Sequence, residues 1–494
     1  MSNAIPGVMS NAGVQPFLWL DGAWAEGAEN LAVINPATGA EIAKVSLADA
    51  GAFSRAIDGA HAAFAKWKGE PAAGRGDILK KTAALMVQRR KELGELLTTE
   101  QGKPLAQALG EVDYAASFFQ WFGEEARRLA GRLQPHPVKG REYIVRSVPA
   151  GVAGLVTPWN FPMAQGAKKV AAALAAGCTV VWKPSELTPL VALAMGPLMK
   201  EAGLPDGVLQ ILPAFGPVGG TALTADARIR VLSLTGSTET GRTLMKAASQ
   251  HLPKLSFELG GNAPFILLPD ADLDAAAADL VKLKVFVSGQ VCVTANRVFV
   301  PAKIERDFTA KLVALWKDLK IGNGLTQGTD VGPLIHSKAC ERVKDLVAKA
   351  VGAGAEIVAE NRAHEADKAL AGGSFYPPTI IRGVRDDMEL VTGEIFGPVL
   401  PILTYGDVAE AVRRANATPY GLAAYVYGSD LALAGGVAES IEAGIVGVNE
   451  WRPLRSEIPF GGIKSSGLGS EGGTEGIHEF CETKTISLPS SPRY

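Results

Sequence analysis

Val152-Ala153-Gly154-Leu155-Val156 runs into the proline-bracketed turn Thr157-Pro158-Trp159-Asn160-Phe161-Pro162, and after an alanine-rich stretch comes Thr179-Val180-Val181-Trp182-Lys183. Two short β-branched runs flank residues 164–176, which read as a helix closed by Gly177, so the segment is a βαβ unit. The rhythm continues with strands expected at 208–212, 229–234 and 254–259 and a helix at 189–202 closed by Gly203. A parallel sheet flanked by helices follows, an α/β fold whose ligands bind beyond the carboxyl ends of the strands.

Those strand ends carry chemistry. After the second strand come Lys183-Pro184-Ser185-Glu186. A lysine there can hydrogen-bond ribose hydroxyls, and Glu186 can hold a 2′-hydroxyl while repelling a 2′-phosphate, favouring NAD over NADP. A solvated Lys-Glu pair opening a helix is the plainer alternative. After the fourth strand, Gly236-Ser237-Thr238-Glu239-Thr240-Gly241 opens a helix whose free N–H groups and dipole suit a phosphate oxygen. The turn is not the GxGxxG fingerprint, and glycine for turn geometry alone is its other reading. Asn160 is either an amide donor to an oxyanion or a turn former.

Further along, Ser288-Gly289-Gln290-Val291-Cys292-Val293-Thr294 presents a thiol, and Phe257-Glu258-Leu259-Gly260-Gly261-Asn262 presents a carboxylate. Most free cysteines are packing groups. The glycine before Cys292, however, lets backbone approach a ligand and expose a donor N–H, so Cys292 and Glu258 read as nucleophile and base. Cys178, Cys340 and Cys481 lack that setting. Glu394, in Gly393-Glu394-Ile395-Phe396-Gly397-Pro398, can grip a ribose, with Phe396 offering an apolar face.

From Asp270 on, helices at 304–319 and 338–352 and strands at 356–359 and 399–405 predict a second α/β domain, in keeping with 494 residues. Residues 143–148 and 483–488 alternate like exposed strands and are expected to pair with another chain. A net charge of −2 with scattered lysines and arginines gives no field for nucleic acid. Four widely spaced cysteines offer neither a disulfide framework nor a metal site and point to a reducing compartment. Residues 1–15 lack a signal-peptide pattern, and no run of eighteen apolar residues occurs, so a cytoplasmic protein without membrane partners is expected.

Together, Thr157 to Pro162, Lys183 to Glu186, Gly236 to Gly241, Glu258 to Gly261, Gly289 to Cys292, Glu394 to Pro398 and Pro459-Phe460-Gly461-Gly462 resemble the NAD(P)-dependent aldehyde dehydrogenase superfamily. The resemblance runs from Asp21-Gly22-Ala23-Trp24 to Thr483-Lys484. It implies two doubly wound parallel-sheet domains: a Rossmann-like cofactor domain (1–132 and 150–259) and a catalytic domain (260–461). A small β arm (133–149 and 477–494) would build a homodimer or homotetramer. It further implies that Cys292 forms a thiohemiacetal and then a thioester, that Asn160 and the Cys292 N–H bind the oxyanion, and that Glu258 serves the deacylating water. Lys183, with Glu186 and Glu394, would hold the riboses and Ser237 the pyrophosphate, with Thr157, Trp159, Ser185, Gly236, Leu259 and Phe396 completing the cofactor site. NAD is the expected cofactor and NADP a possible one.

Within that superfamily the motifs look most like succinate semialdehyde and α-ketoglutarate semialdehyde dehydrogenases, with three departures. Phe286 stands where an arginine six residues before the nucleophile usually clamps the substrate carboxylate, Lys168 stands at a second clamp arginine, and Thr294 replaces a second cysteine. Lysine lacks the guanidinium fork, so the exchange is not neutral. The expected substrate is an anionic semialdehyde such as succinate semialdehyde, read by Lys168, Phe286, Arg452, Arg455 and Phe460. A broad-specificity or aromatic/aliphatic aldehyde dehydrogenase is the alternative. A CoA-acylating enzyme is disfavoured by Glu258, and an inactive structural homologue by the intact set Cys292, Glu258, Asn160 and Lys183.

Overall fold

The computed structural model describes residues 5–490. The expected boundaries at 1–132 and 477–494 thus include residues 1–4 and 491–494, which lie outside the described residues.

Five parallel strands form the centre of an eight-stranded sheet, in the spatial order Leu209–Ile211, Thr179–Lys183, Val152–Val156, Ile229–Thr235, Lys254–Glu258. Numbered along the chain, this is 3-2-1-4-5, so the direction of winding reverses between Val152–Val156 and Ile229–Thr235. The carboxyl ends of those two strands therefore open a crevice, and the turns that follow them are Thr157–Pro162 and Gly236–Gly241. Antiparallel strands Leu18–Leu20, Ala23–Ala25 and Gly467–Leu468 close the sheet's edges.

Helix Pro162–Ala176 explains its alanines. All fifteen residues are buried, and a Cβ on Gly166 would overlap the Trp182 ring, so only small side chains fit between sheet and outer helices. Gly177 ends it at φ 96°. The helix expected at 189–202 is two, Pro189–Leu193 and Met195–Ala202, breaking at Ala194.

A second sheet of seven strands runs in the order Glu356–Glu360, Thr379–Arg382, Val399–Tyr405, Ala295–Pro301, Ala263–Leu267, Ala423–Tyr427, Ile445–Val448. All but Glu356–Glu360 are parallel. Only residues 259–262 separate the last parallel strand of the first sheet from the first strand of the second. The carboxyl edge of one sheet is thereby brought against the amino edge of the other, where Ala295–Pro301 begins.

The two strands expected to be open to another chain pair with each other, Cys481–Pro489 at the edge of its sheet. Cys481–Pro489 lies antiparallel on Arg141–Pro149 in unbroken register, with Arg132–Pro135 on the far side. Among the described residues no helix is long and apolar enough to cross a membrane.

Candidate active site

The loop before Ala295–Pro301 is strained. Val287, Ser288 and Gly289 have φ of 49°, 56° and 75°, and a β-branched residue in the left-handed region is a true outlier. It is held by a ring of bonds. Val287 N–H donates to Gln107 Oε1 (2.8 Å), Ser288 Oγ to the Gly332 carbonyl (2.8 Å), and Gln290 Oε1 accepts from Ile335 N–H (2.9 Å). Glycine is required on both faces of the loop: a Cβ on Gly289 would overlap the Gly397 carbonyl, and one on Gly261 the Cys292 carbonyl. Three of the glycine-bearing motifs, those of Gly261, Gly289 and Gly397, are thus packed back to back around Cys292.

Asn160 reaches the same loop from the first sheet. It is 4% exposed, its Nδ2 donates to the Gln290 carbonyl (3.0 Å), and its Oδ1 accepts from the Phe161 N–H (3.1 Å). A carboxamide has two N–H protons, so one is left for a ligand.

Cys292 forms part of the wall of two cavities. One, about 430 Å³, lies in the crevice and is lined by Trp159, Asn160, Gly236, Ser237, Leu259, Gly260, Arg342, Glu394 and Phe396. Ser237 caps helix Thr238–Ala248 by accepting from Thr240 N–H (3.2 Å), leaving other first-turn donors for an anion. Trp159 and Phe396 meet edge to face at 5.5 Å. Gly219 has no side chain where a Cβ would strike the stem of Lys183, whose Nζ pairs with Glu186 at 2.9 Å. The crevice, helix terminus, ring pair and ribose-type acceptors fit a nicotinamide dinucleotide.

The other cavity is about 60 Å³ and aromatic: Tyr114, Phe161, Phe286, Tyr425, Trp451 and Phe460 line it with Lys168 and Arg452.

Residues 24–486 match the aldehyde dehydrogenase family. The chain is 44% identical to glutarate-semialdehyde dehydrogenase of Pseudomonas aeruginosa, over 95% of this chain and 97% of the relative. It is 42% identical to 3-sulfolactaldehyde dehydrogenase of Pseudomonas putida, over 95% and 96%. The crystal structure of succinate-semialdehyde dehydrogenase from Burkholderia pseudomallei superposes with a TM-score of 0.94 at 40% identity, over 98% and 99%. This chain belongs to the aldehyde dehydrogenase family.

As an aldehyde dehydrogenase it is an NAD(P)-dependent aldehyde oxidoreductase, and its polar groups bear on that chemistry. Burial, with the Glu394 carboxylate adding, pushes the Cys292 thiol up to about 12, while Lys168 opposes. The thiol keeps partial exposure only because two cavities meet at it. Burial, then the Glu471 carboxylate, holds Glu258 well above the usual carboxylate range, with Lys168 and Lys169 opposing. Neither oxygen of Glu258 has a hydrogen-bond partner among the described residues. Glu394 is pushed up to about 7 by burial, although it accepts from Gly261 N–H (3.3 Å).

The expected site residues divide. Trp159, Asn160, Gly236, Ser237, Leu259, Glu394 and Phe396 share the crevice with Cys292, and Lys183 and Glu186 pair at the neighbouring strand end. Thr157 and Ser185 bond inward instead, Thr157 Oγ1 accepting from Trp182 Nε1 (2.9 Å) and Ser185 Oγ from Leu187 N–H (3.2 Å).

Lys168, Phe286, Arg452 and Phe460 line the aromatic cavity; Arg455 does not. Arg455 is exposed and bonds its own loop, donating to the Arg452 (2.8 Å) and Leu454 (2.7 Å) carbonyls beside Glu450. Lys168 is also not free: its ammonium is 2.6 Å from Glu471 and 4.1 Å from the Phe460 ring centre. Lys169 pairs with the other oxygen of Glu471. Glu471, Arg342, Tyr114 and Trp451 escaped sequence reading because nothing local marks them.

Proposed function

We propose that this chain oxidises a short anionic semialdehyde to the acid through a covalent intermediate on Cys292, with NAD favoured over NADP. The observation carrying this is Cys292 in the shared wall of a dinucleotide-sized crevice and an aromatic cavity containing one uncompensated cation. That cation is Arg452, 5.1 Å above the Phe286 ring, with no carboxylate among the described residues acting on it. Its guanidinium, over the Phe286 ring in the same cavity wall, takes over the charge that an arginine at 286 would have supplied. A substrate carboxylate or sulfonate supplies its missing partner.

The chemistry follows from the residues. The Cys292 thiol, protonated at rest, passes its proton by way of the Glu258 carboxylate to solvent as its sulfur attacks the aldehyde carbon, forming a thiohemiacetal. The free Asn160 amide proton and the Cys292 N–H stabilise the oxyanion. The crevice residues would hold NAD(P), which when bound would supply the hydride acceptor. A thioester on Cys292 remains, and Glu258, whose raised pKa suits a base working near neutrality, takes a proton from the water that hydrolyses it. Ser237 would hold the pyrophosphate, and Glu394 and Lys183 would hold ribose hydroxyls. Glu186 disfavours a 2′-phosphate.

The proposal includes a cofactor domain of residues 1–132 with 150–259, a catalytic domain of 260–461, and an arm of 133–149 with 477–494 that assembles a homodimer or homotetramer. Four free cysteines support a reducing, cytoplasmic setting.

The aromatic wall favours a benzaldehyde-type substrate as a second reading. Against it stands Arg452, a half-buried charge that a neutral ring leaves without a partner. A screen of purified protein with succinate, glutarate and α-ketoglutarate semialdehydes, a sulfonated aldehyde and benzaldehyde, with NAD and NADP and with and without CoA, tests the proposal. Higher kcat/KM for the anionic aldehydes with NAD, independent of CoA, is expected; a clear preference for benzaldehyde would reverse the substrate assignment.

A further inference from the structure

Lys103 and Glu111 form an ion pair, 2.5 Å long, in which neither side chain has any solvent exposure. Replacing such a pair by apolar groups is often neutral or stabilising, so stability alone does not account for it. Its contacts suggest another reason. Lys103 Nζ also donates to the Asn160 carbonyl (2.7 Å) and lies 4.2 Å from the Phe161 ring centre. The second oxygen of Glu111 accepts from Met163 N–H (3.0 Å) and Ala164 N–H (3.1 Å), in the first turn of helix Pro162–Ala176. The pair thus grips the Asn160–Phe161 turn at its carbonyl, at its ring and at the helix that continues it.

The peptide unit between Asn160 and Phe161 acts as a lever. Lys103 holds its oxygen, and its N–H donates to Asn160 Oδ1. With Oδ1 tied there and one Nδ2 proton on the Gln290 carbonyl, the direction of the remaining amide proton depends on the plane of that unit. Four residues beyond Lys103, in the first turn of helix Leu105–Glu125, Gln107 accepts from Val287 N–H and steadies the loop bearing Cys292. We propose that Lys103, paired with Glu111, is a positioning residue that aims the Asn160 amide at the oxyanion. This rests on the reading of Asn160 given above.

The test is a mutant cycle in the full-length protein: Lys103→Met with Glu111→Gln, which removes both charges together, and Glu111→Gln alone, each with and without Asn160→Ala. Melting temperature, circular dichroism, kcat and KM are measured for each. Asn160→Ala lowers kcat about 100-fold or more. The Lys103→Met/Glu111→Gln protein folds, binds NAD with KM changed less than about twofold, and loses about 10- to 100-fold in kcat. Adding Asn160→Ala to it costs nothing beyond Asn160→Ala alone, because the lever then has nothing to aim. Glu111→Gln gives a smaller loss with the same non-additivity, and it carries the test if the paired variant does not fold. A folded variant with unchanged kcat, or losses that multiply with Asn160→Ala, overturns the inference while leaving Asn160's role intact. An Asn160→Ala protein with unchanged kcat overturns the oxyanion reading itself, and the inference with it.

Discussion

Gly261 backs directly onto Cys292, so closely that a Cβ at 261 would overlap the carbonyl oxygen of the cysteine. The contact is backbone to backbone and cannot be relieved by a rotamer change. Gly261→Ala is therefore expected to displace Cys292 and lower kcat about 100-fold, the cost of a misplacement near 1 Å, with circular dichroism unchanged. Steady-state kinetics check it; wild-type kcat would show that the loop adjusts freely.

Arg452 is the cavity's uncompensated cation, and Arg455 faces solvent. Arg452→Met should raise KM for glutarate or succinate semialdehyde about 10- to 100-fold, since hydrogen bonds to charged groups contribute about 1.5–3 kcal/mol. KM for a neutral aldehyde of similar length should hold or fall. Arg455→Ala should change neither.

Glu471 neutralises two buried lysines at once. Glu471→Gln removes the carboxylate from both, leaving Lys169 only its bond to Ser233 Oγ and Lys168 only the Phe460 ring, and should cost about 3–5 kcal/mol in urea unfolding. Burial alone would raise the Glu471 pKa, but Lys168 and Lys169 outweigh it and the folded value lies below the ordinary one. Its contribution is therefore complete above the unfolded-state value of about 4.3 and is lost as pH falls through the folded value. The gap between wild type and Glu471→Gln should be widest near neutral pH and shrink as pH drops below about 4.

The Cys292 thiol, pushed up to about 12 chiefly by burial, is almost wholly protonated in the cofactor-free protein at pH 7. Alkylation by iodoacetamide should accelerate about tenfold per pH unit from 7 to 10, following the thiolate. Peptide mapping against Cys292→Ala assigns the label. A rate that levels off near pH 7 would mean an already ionised nucleophile.

The fold was legible wherever local pattern decides it. The β-branched runs at Val152–Val156 and Thr179–Lys183 and the capping glycines at 177 and 203 lie where they were read. Partners far apart in the chain were not legible. Lys169 and Glu471 are 302 residues apart, and Lys103 and Asn160 57, with no periodicity joining them. Side-chain direction in the 450–455 loop was equally hidden: Arg452 and Arg455 read alike as cations, and only the turn that ties Arg455 to its own carbonyls separates them. Strands Arg141–Pro149 and Cys481–Pro489 looked unpaired to each other because more than 330 residues separate them.

Trapping the acyl group on Cys292 tests the central assignment most directly. Glu258→Gln protein is mixed with NAD and glutarate semialdehyde, quenched in acid within seconds, and analysed by intact mass and peptide mapping. A glutaryl adduct confined to Cys292, formed with about one NADH per active site and then hydrolysed slowly, is the predicted result. NADH formed with no adduct, or with the adduct on another residue, would contradict it.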